Sequence, residues 1–330
     1  MRLSIRILFS LACAALVLAM PFVLSSPAIL GEAQWMLLEE MGGEESGFLS
    51  WLFPGARAED VTAESEYSLP LDFSPGYVPD PSGYTDAGYE DDSIRVQMET
   101  REEGNVIWRI AWVEVASPTQ LRTATAGQKL TSKATARVTA MAEKNNAVVA
   151  LNGDNFVDNP TKTSFEYRMG QKIRSKTNRL KDILIIDENG DFHTFVQSQG
   201  VTEFEDSGHT IVNAFTFGPA LVQEGRLLTT SKEYGYNPNG REPRSAIGQT
   251  GRLSYVMVVA EGRGESVGVT QQELADFMYS LGCVEAYNLD GGGTAAMVYR
   301  GDYYNDLAGN ERSISDIIYF ATAVPDGGSR

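Results

Sequence analysis

The sequence predicts an α+β fold: a mixed, strongly curved β-sheet core flanked by helices, preceded by one N-terminal transmembrane helix and a flexible stalk. Three observations predict it. An uncharged, mostly apolar run fills residues 7–31 directly after Arg2 and Arg6. An acidic stretch without sustained periodicity follows it. Beyond that, strand-like segments succeed one another with too few helices between them for a regular βαβ alternation.

The 330 residues carry a formal charge of -17, unevenly placed. Residues 32–103 hold 18 acids against 3 bases, and the body beyond is nearly balanced. No basic stripe offers itself to nucleic acid. The opening run exceeds the roughly 20 residues needed to cross a bilayer. Its preceding arginines place the bulk of the chain outside the cytoplasm. No small-x-small cleavage site follows closely, and Ala56-Arg57-Ala58 lies far downstream. Residues 1–31 therefore read as an uncleaved signal anchor in preference to a cleaved signal peptide. The expectation is a single-pass cell-membrane protein with its C-terminal domain extracytoplasmic, secreted if the segment is cleaved. Residues 32–92 are acidic and rich in Gly, Pro, Ser and Tyr, and read as a low-complexity stalk. Residues 93–330 read as the folded domain.

Within that domain, residues 106–115 and 253–260 have strand composition and length. Residues 183–187 and 192–196 form a hairpin closed on Asn189-Gly190. Residues 211–222 and 317–321 add strands. Two helices stand out. Residues 133–144 present Ala134, Val138 and Met141 on one face. A second opens on Thr270 with Glu273 three residues on, a capping box, and stops at Gly282. Each helix runs at once into a short apolar strand and an Asp-Gly loop, at Asn152-Gly-Asp154 and at Leu289-Asp-Gly-Gly-Gly-Thr294. Two such loops meeting in one cleft would make a paired-carboxylate site.

The residue inventory narrows the chemistry. Two histidines, His193 and His209, argue against a Ser-His-Asp hydrolase or a histidine-based zinc site, and His209 reads as a surface residue. Cys13 and Cys283 are too few for a disulfide framework, and no P-loop is present. What remains is carboxylates, arginines and glycine loops. Asp290, Asp154 and Glu261 are the candidate catalytic acids, because paired carboxylates are the usual equipment for glycoside cleavage. Arg244 and Arg312 are able to grip an anion in bidentate fashion. Backbone N–H groups of Gly291, Gly292, Gly293 and Thr294 form a candidate anion nest. These parts suit a sugar joined to a phosphate. No cofactor is called for, although Asp-rich loops leave a divalent metal open.

Seven segments stand in order between Tyr84 and Ala323: Gln120-Leu-Arg-Thr123, Ala150-Leu-Asn-Gly-Asp-Asn-Phe156, Phe215-Thr-Phe-Gly-Pro-Ala-Leu-Val222, Pro243-Arg-Ser-Ala-Ile-Gly-Gln249, Val258-Val-Ala-Glu-Gly-Arg263, Asn288-Leu-Asp-Gly-Gly-Gly-Thr294 and Arg312-Ser-Ile-Ser-Asp-Ile-Ile318. Together they resemble the phosphodiester glycosidase family, and most of all its secreted or membrane-anchored bacterial members. The resemblance implies hydrolysis of a sugar-1-phosphodiester, with Asn152, Gly153, Asp154, Arg244, Asp290, Gly291, Gly292, Gly293, Thr294 and Arg312 lining the cleft. Thr294 replaces the more usual serine, and Glu261 stands where aspartate is common. The expected partner is a phosphorylated glycan of the cell envelope. Two alternatives stay open: a non-catalytic envelope protein that binds phosphorylated glycans, and an assembly factor with a vestigial cleft.

Overall fold

Apolar strands covered on both faces lose the inside–outside alternation, and here the covering is done by three sheets and three helices. The computed structural model describes residues 67–127, 133–154, 156, 164–230, 235 and 237–325. These lie in the unit Glu64–Arg330. A nine-stranded sheet has the order Tyr84–Thr85, Gly88–Glu90, Ile94–Glu103, Val106–Val115, Ser254–Ala260, Arg244–Gly251, Glu285–Asn288, Ala220–Gln223 and Arg226–Leu227. A second sheet orders Phe192–Phe195, Ile183–Asp187, Ile211–Phe215, Phe165–Arg168 and Gln171–Ser175. A third orders Asp302–Tyr303, Met297–Tyr299, Ala147–Asn152, Asp316–Ala321 and Leu121–Thr125.

The inner faces of all three sheets share one core. Val113, Ile247 and Met257 from the first meet Leu184, Ile186 and Phe215 from the second and Leu151, Ile318 and Phe320 from the third. Each outer face carries one helix. Helix α1, Val138–Lys144, lays Val138 and Met141 on Ala150, Ile317 and Tyr319. Helix α2, Val201–Asp206, lays Val201 on Ile183, Ile185 and Ile211. Helix α3, Gln271–Ser280, lays Leu274, Phe277 and Met278 on Trp108, Val256 and Val258. Ile183–Asp187 is accordingly buried at every position. Only towards the open edge does Ile94–Glu103 alternate, with Ile94, Val96 and Met98 inside and Arg95 and Gln97 outside.

Several expectations are corrected. The described chain is mostly β with few helices, where an α+β fold is expected. The sheet is not mixed: every strand pairing among the described residues is antiparallel. Parallel neighbours need a long crossover, and most of these strands are joined by turns and loops. One curved sheet is replaced by three. The first helix begins at Val138, not at residue 133, because Ala136 is bridged to Ile314 in extended pairing. Residues 67–92, read as stalk, are built onto the body, and Tyr84–Thr85 and Gly88–Glu90 extend the large sheet.

Other expectations hold. The Thr270–Glu273 capping box is made in both directions, and Gly282 ends the helix at φ 81°. The hairpin turns at Gly190, with φ 79°. No helix among the described residues is long and apolar enough to cross a membrane, and the expected anchor at residues 1–31 lies outside them.

Tyr287 joins two sheets. Its hydroxyl donates to the Asp182 carbonyl (2.6 Å) and accepts from the Phe217 N–H (3.0 Å). Tyr287→Phe removes the hydroxyl from both bonds, a loss of about 0.5–1.5 kcal/mol for each read from urea unfolding. A change below about 0.5 kcal/mol, the range of ordinary surface substitutions, would contradict this account of the sheet junction.

Candidate active site

The two helix–strand–Asp units do converge. Ala147–Asn152 and Glu285–Asn288 belong to different sheets, yet the loops after them touch through backbone. The Asp290 N–H donates to the Gly153 carbonyl (3.3 Å). The Asn152 carboxamide fixes the junction. Its Nδ2 donates to the Asp290 carbonyl (2.6 Å) and the Gly153 carbonyl (3.1 Å). Its Oδ1 accepts from Ser245 Oγ (2.7 Å) and the Ala296 N–H (3.1 Å). Asn152 is wholly buried, and its bonds hold the Asp290 loop from beneath.

The glycines let that loop lie flat on its neighbours. A Cβ on Gly291 would come within 2.7 Å of the Pro243 carbonyl, the same carbonyl that accepts the Gly292 N–H (2.7 Å). Gly292 has φ 62°, a backbone state that L side chains rarely adopt. Of the four N–H groups expected to form a nest, those of Gly292 and Thr294 bond within the protein. Those of Gly291 and Gly293 have no partner among the described residues. The Thr294 hydroxyl bonds back to the Gly291 carbonyl (2.6 Å) and closes the turn.

Two arginines flank the loop. Arg263 brings Nη2 within 3.3 Å of where a Gly292 Cβ would stand, held there by Glu242 (2.7 Å). Arg312 lays its stem beside Gly293, 3.0 Å from that residue's Cβ position. It is exposed and has no ion pair among the described residues. Arg244 is placed differently. Its backbone supports Gly291, but its guanidinium points to three carbonyls, those of Val269 (2.8 Å), Asn237 (2.8 Å) and Gly240 (3.0 Å). Burial lowers its pKa to about 10.

The three carboxylates named from sequence have separate surroundings. Asp290 is half-buried at the loop. Glu261 is buried and accepts from Arg109 Nε (2.6 Å) and the Asp306 N–H (2.9 Å). Asp154 is buried and accepts from Arg168 Nη2 (2.8 Å) and the Thr216 N–H (3.0 Å). Arg168 also pairs with Asp316 (2.8 Å) and Glu166 (3.3 Å), above the Phe215 ring. Gly153 permits this, since any Cβ there would overlap the Asp316 carboxylate.

Sequence reasoning missed Arg168, Glu166, Arg263 and Lys181. Glu166 and Arg168 share one face of a buried strand, and that i, i+2 pair was the available signal. Lys181 lies over the Phe217 ring, its pKa pushed down to about 8 by burial. No local pattern announces it.

Three acids around one guanidinium leave an excess of negative charge. Burial first, and then the Asp154 charge, push the Glu166 pKa well above the ordinary carboxyl value. Burial pushes Asp316 up to about 6, against the pull of Arg168. Folding therefore takes up a proton at Glu166 wherever the unfolded side chain is ionised, and stability falls as pH rises from the unfolded towards the folded pKa. Glu166→Gln removes that linkage. Its stability relative to wild type should rise as pH climbs above the ordinary carboxyl range towards the raised folded pKa, as read from urea midpoints. A flat or falling difference would contradict the assignment.

With this geometry in view, comparison with known proteins is informative. The family model described as phosphodiester glycosidase matches residues 145–321. The SPbeta prophage-derived uncharacterized protein YomE of Bacillus subtilis (strain 168) is 32% identical over 120 residues, 36% of this chain and 19% of that protein. The match thus spans about a fifth of that relative's length. Among solved structures, the zebrafish N-acetylglucosamine-1-phosphodiester alpha-N-acetylglucosaminidase catalytic domain, auto-inhibited by its pro-peptide, superposes with a TM-score of 0.55 at 18% identity. That superposition covers 74% of this chain and 86% of the zebrafish one, and it shows a shared fold. The meeting of the Asn-Gly-Asp and Asp-Gly-Gly-Gly loops falls inside the matched family segment, and the chain belongs to the phosphodiester glycosidase family.

Proposed function

We propose that this protein is a membrane-tethered, extracytoplasmic hydrolase that cleaves the bond between an anomeric carbon and phosphate in a sugar-1-phosphodiester of the cell envelope. The observation that carries the reading is the Asp290 loop. One half-buried carboxylate shares a loop with two N–H groups, those of Gly291 and Gly293, that have no partner among the described residues, and Arg263 and Arg312 lie against Gly292 and Gly293.

Hydrolysis breaks the C1–O bond. The electron pair leaves with the phosphate oxygen, and water supplies the new oxygen on C1 and a proton. The leaving phosphate is already a stable anion, so it needs donors more than a strong acid. The two N–H groups and the guanidinia supply them where the charge gathers. The Asp290 carboxylate faces the opposite charge, the positive character that develops at C1. Asp154 and Glu261, each held in an ion pair, shape the cleft from behind in this reading. That commitment also favours a second reading. Glycoside cleavage ordinarily uses two carboxylates, and a loop presenting one suits a protein that binds phosphorylated glycans without cutting them.

The full chain, incubated with UDP-GlcNAc and with aryl sugar-1-phosphodiesters of several sugars, is expected to release free sugar. Asp290→Asn should lower kcat by at least about 100-fold, the scale of losing one charge-stabilising group, with an unchanged unfolding midpoint. Arg312→Ala should chiefly raise KM. Tight binding without turnover by wild type would support the second reading. Unchanged turnover in Asp290→Asn would remove Asp290 from the mechanism.

A further inference from the structure

We propose that the hairpin at Asp187 carries a metal site, selective for a divalent transition metal of the zinc type and built from Asp187, Glu188 and His209, with His193 bonded to the same Asp187 carboxylate as an outer partner. The chain has two histidines, and the fold brings both to one carboxylate oxygen. His193 Nε2 lies 3.1 Å from Asp187 Oδ2, and His209 Nδ1 lies 3.8 Å from the same atom. His209 Nδ1 is also 3.5 Å from Glu188 Oε1. The ligand atoms of Asp187, Glu188 and His209 all lie within 4.8 Å of one another. A tetrahedral zinc ion with bonds of about 2.0–2.1 Å places its ligand atoms about 3.3–3.4 Å apart. The His209 separations of 3.8 Å and 3.5 Å lie close to that edge, while His193 stays outside the group and bonds the Asp187 carboxylate.

The ligands are also aimed. Asp187 Oδ1 accepts the N–H groups of Asn189 (2.9 Å) and Asp191 (3.0 Å) in the hairpin turn, which directs Oδ2 at the imidazoles. Glu188 Oε2 accepts the Thr210 N–H (2.8 Å), which leaves Oε1 towards His209. The Phe204 ring of α2 packs against both imidazoles, stacked on His209 at 5.2 Å and tilted to His193 at 4.6 Å. Such outer contacts fix ring orientation in metal sites. A single His–Asp hydrogen bond would need only one imidazole. Here a second imidazole and a second carboxylate stand beside it, and one imidazole nitrogen with two carboxylate oxygens suits zinc, nickel or copper better than the all-oxygen shells of Ca²⁺ or Mg²⁺.

The site stands apart from the Asp290 loop. The hairpin tip docks on Gln249 and Tyr255, through Gln249 Nε2 to Asp191 (2.9 Å) and Tyr255 Oη to the Gly190 carbonyl (2.9 Å). Gln249 is five residues along its strand from Arg244, a separation of about 17 Å at the usual strand rise. An ion there would clamp the hairpin to the segment after α2, so its effect would be on stability and not on the reaction.

Calorimetric titration of the full chain, purified in detergent without a histidine tag and stripped with EDTA, should show one equivalent of Zn²⁺ bound and a raised Tm. Co²⁺ should give the intense visible absorption of a tetrahedral site, and Ca²⁺ should leave Tm unchanged. His209→Ala and His193→Ala should each weaken Zn²⁺ binding by at least about tenfold, while Asp290→Asn should bind as wild type does. His209 is exposed, so that variant tests the ligand without threatening the core. Absence of saturable Zn²⁺ binding, or binding undiminished in His209→Ala, would overturn the proposal.

Discussion

The Asn152 carboxamide is the interaction on which the candidate site depends. It is buried, it ends a strand of one sheet, and it holds the neighbouring sheet through Ser245 and the Asp290 loop through its carbonyl. A buried amide left unpaired costs about 1–3 kcal/mol per group, so four bonds at one side chain leave the two loops little freedom to part. Asn152 is thus a positioning residue, and the carboxylate it positions lies in the loop after another strand, 138 residues on.

Behind that junction, charge is organised by burial. Arg168 gathers Asp154, Asp316 and Glu166 from three segments of the chain. A buried ion pair adds little over a well-packed apolar core, but removing one partner costs several kcal/mol because the others remain charged. The cluster therefore specifies how the segments meet more than it stabilises them. Gly153 belongs to this arrangement, since it admits the Asp316 carboxylate against the backbone. The same Arg-Ser-Ile-Ser-Asp segment has two fates: Asp316 is sealed inside, and Arg312 stays at the surface beside Gly293.

Much of this was legible in the residues. The Asn189-Gly190 turn, the Thr270–Glu273 cap and the twin helix–strand–Asp units are local signals, and local geometry honours them. Partition into three sheets was not legible, because strands covered on both faces carry no alternation that says which sheet they join. Helix α2 has six residues, too few for a period to show. Arg244 reads as an anion ligand from its residue type and from the family resemblance. Strand alternation turns it to the α3 side, where carbonyls take its donors. Asp154 reads as a catalytic acid from its place at a strand end and from the family resemblance, and nothing nearby in sequence reveals that Arg168 lies 2.8 Å away. The two histidines read as unrelated, since their convergence on Asp187 exists only in the folded hairpin.

A separate hollow of about 690 Å³ lies over Trp108 and Phe277 beside α3, and no residue of the glycine loop lines it. Its aromatic floor would accept a sugar ring, and it therefore competes with the Asp290 loop as the place where substrate sits. A crystal structure with a non-hydrolysable glycosyl-1-phosphonate separates the two directly. The account predicts phosphonate oxygens within hydrogen-bond reach of the Gly291 and Gly293 N–H groups, with C1 turned towards Asp290. A phosphonate bound in the Trp108 hollow, with the glycine loop empty, would contradict it.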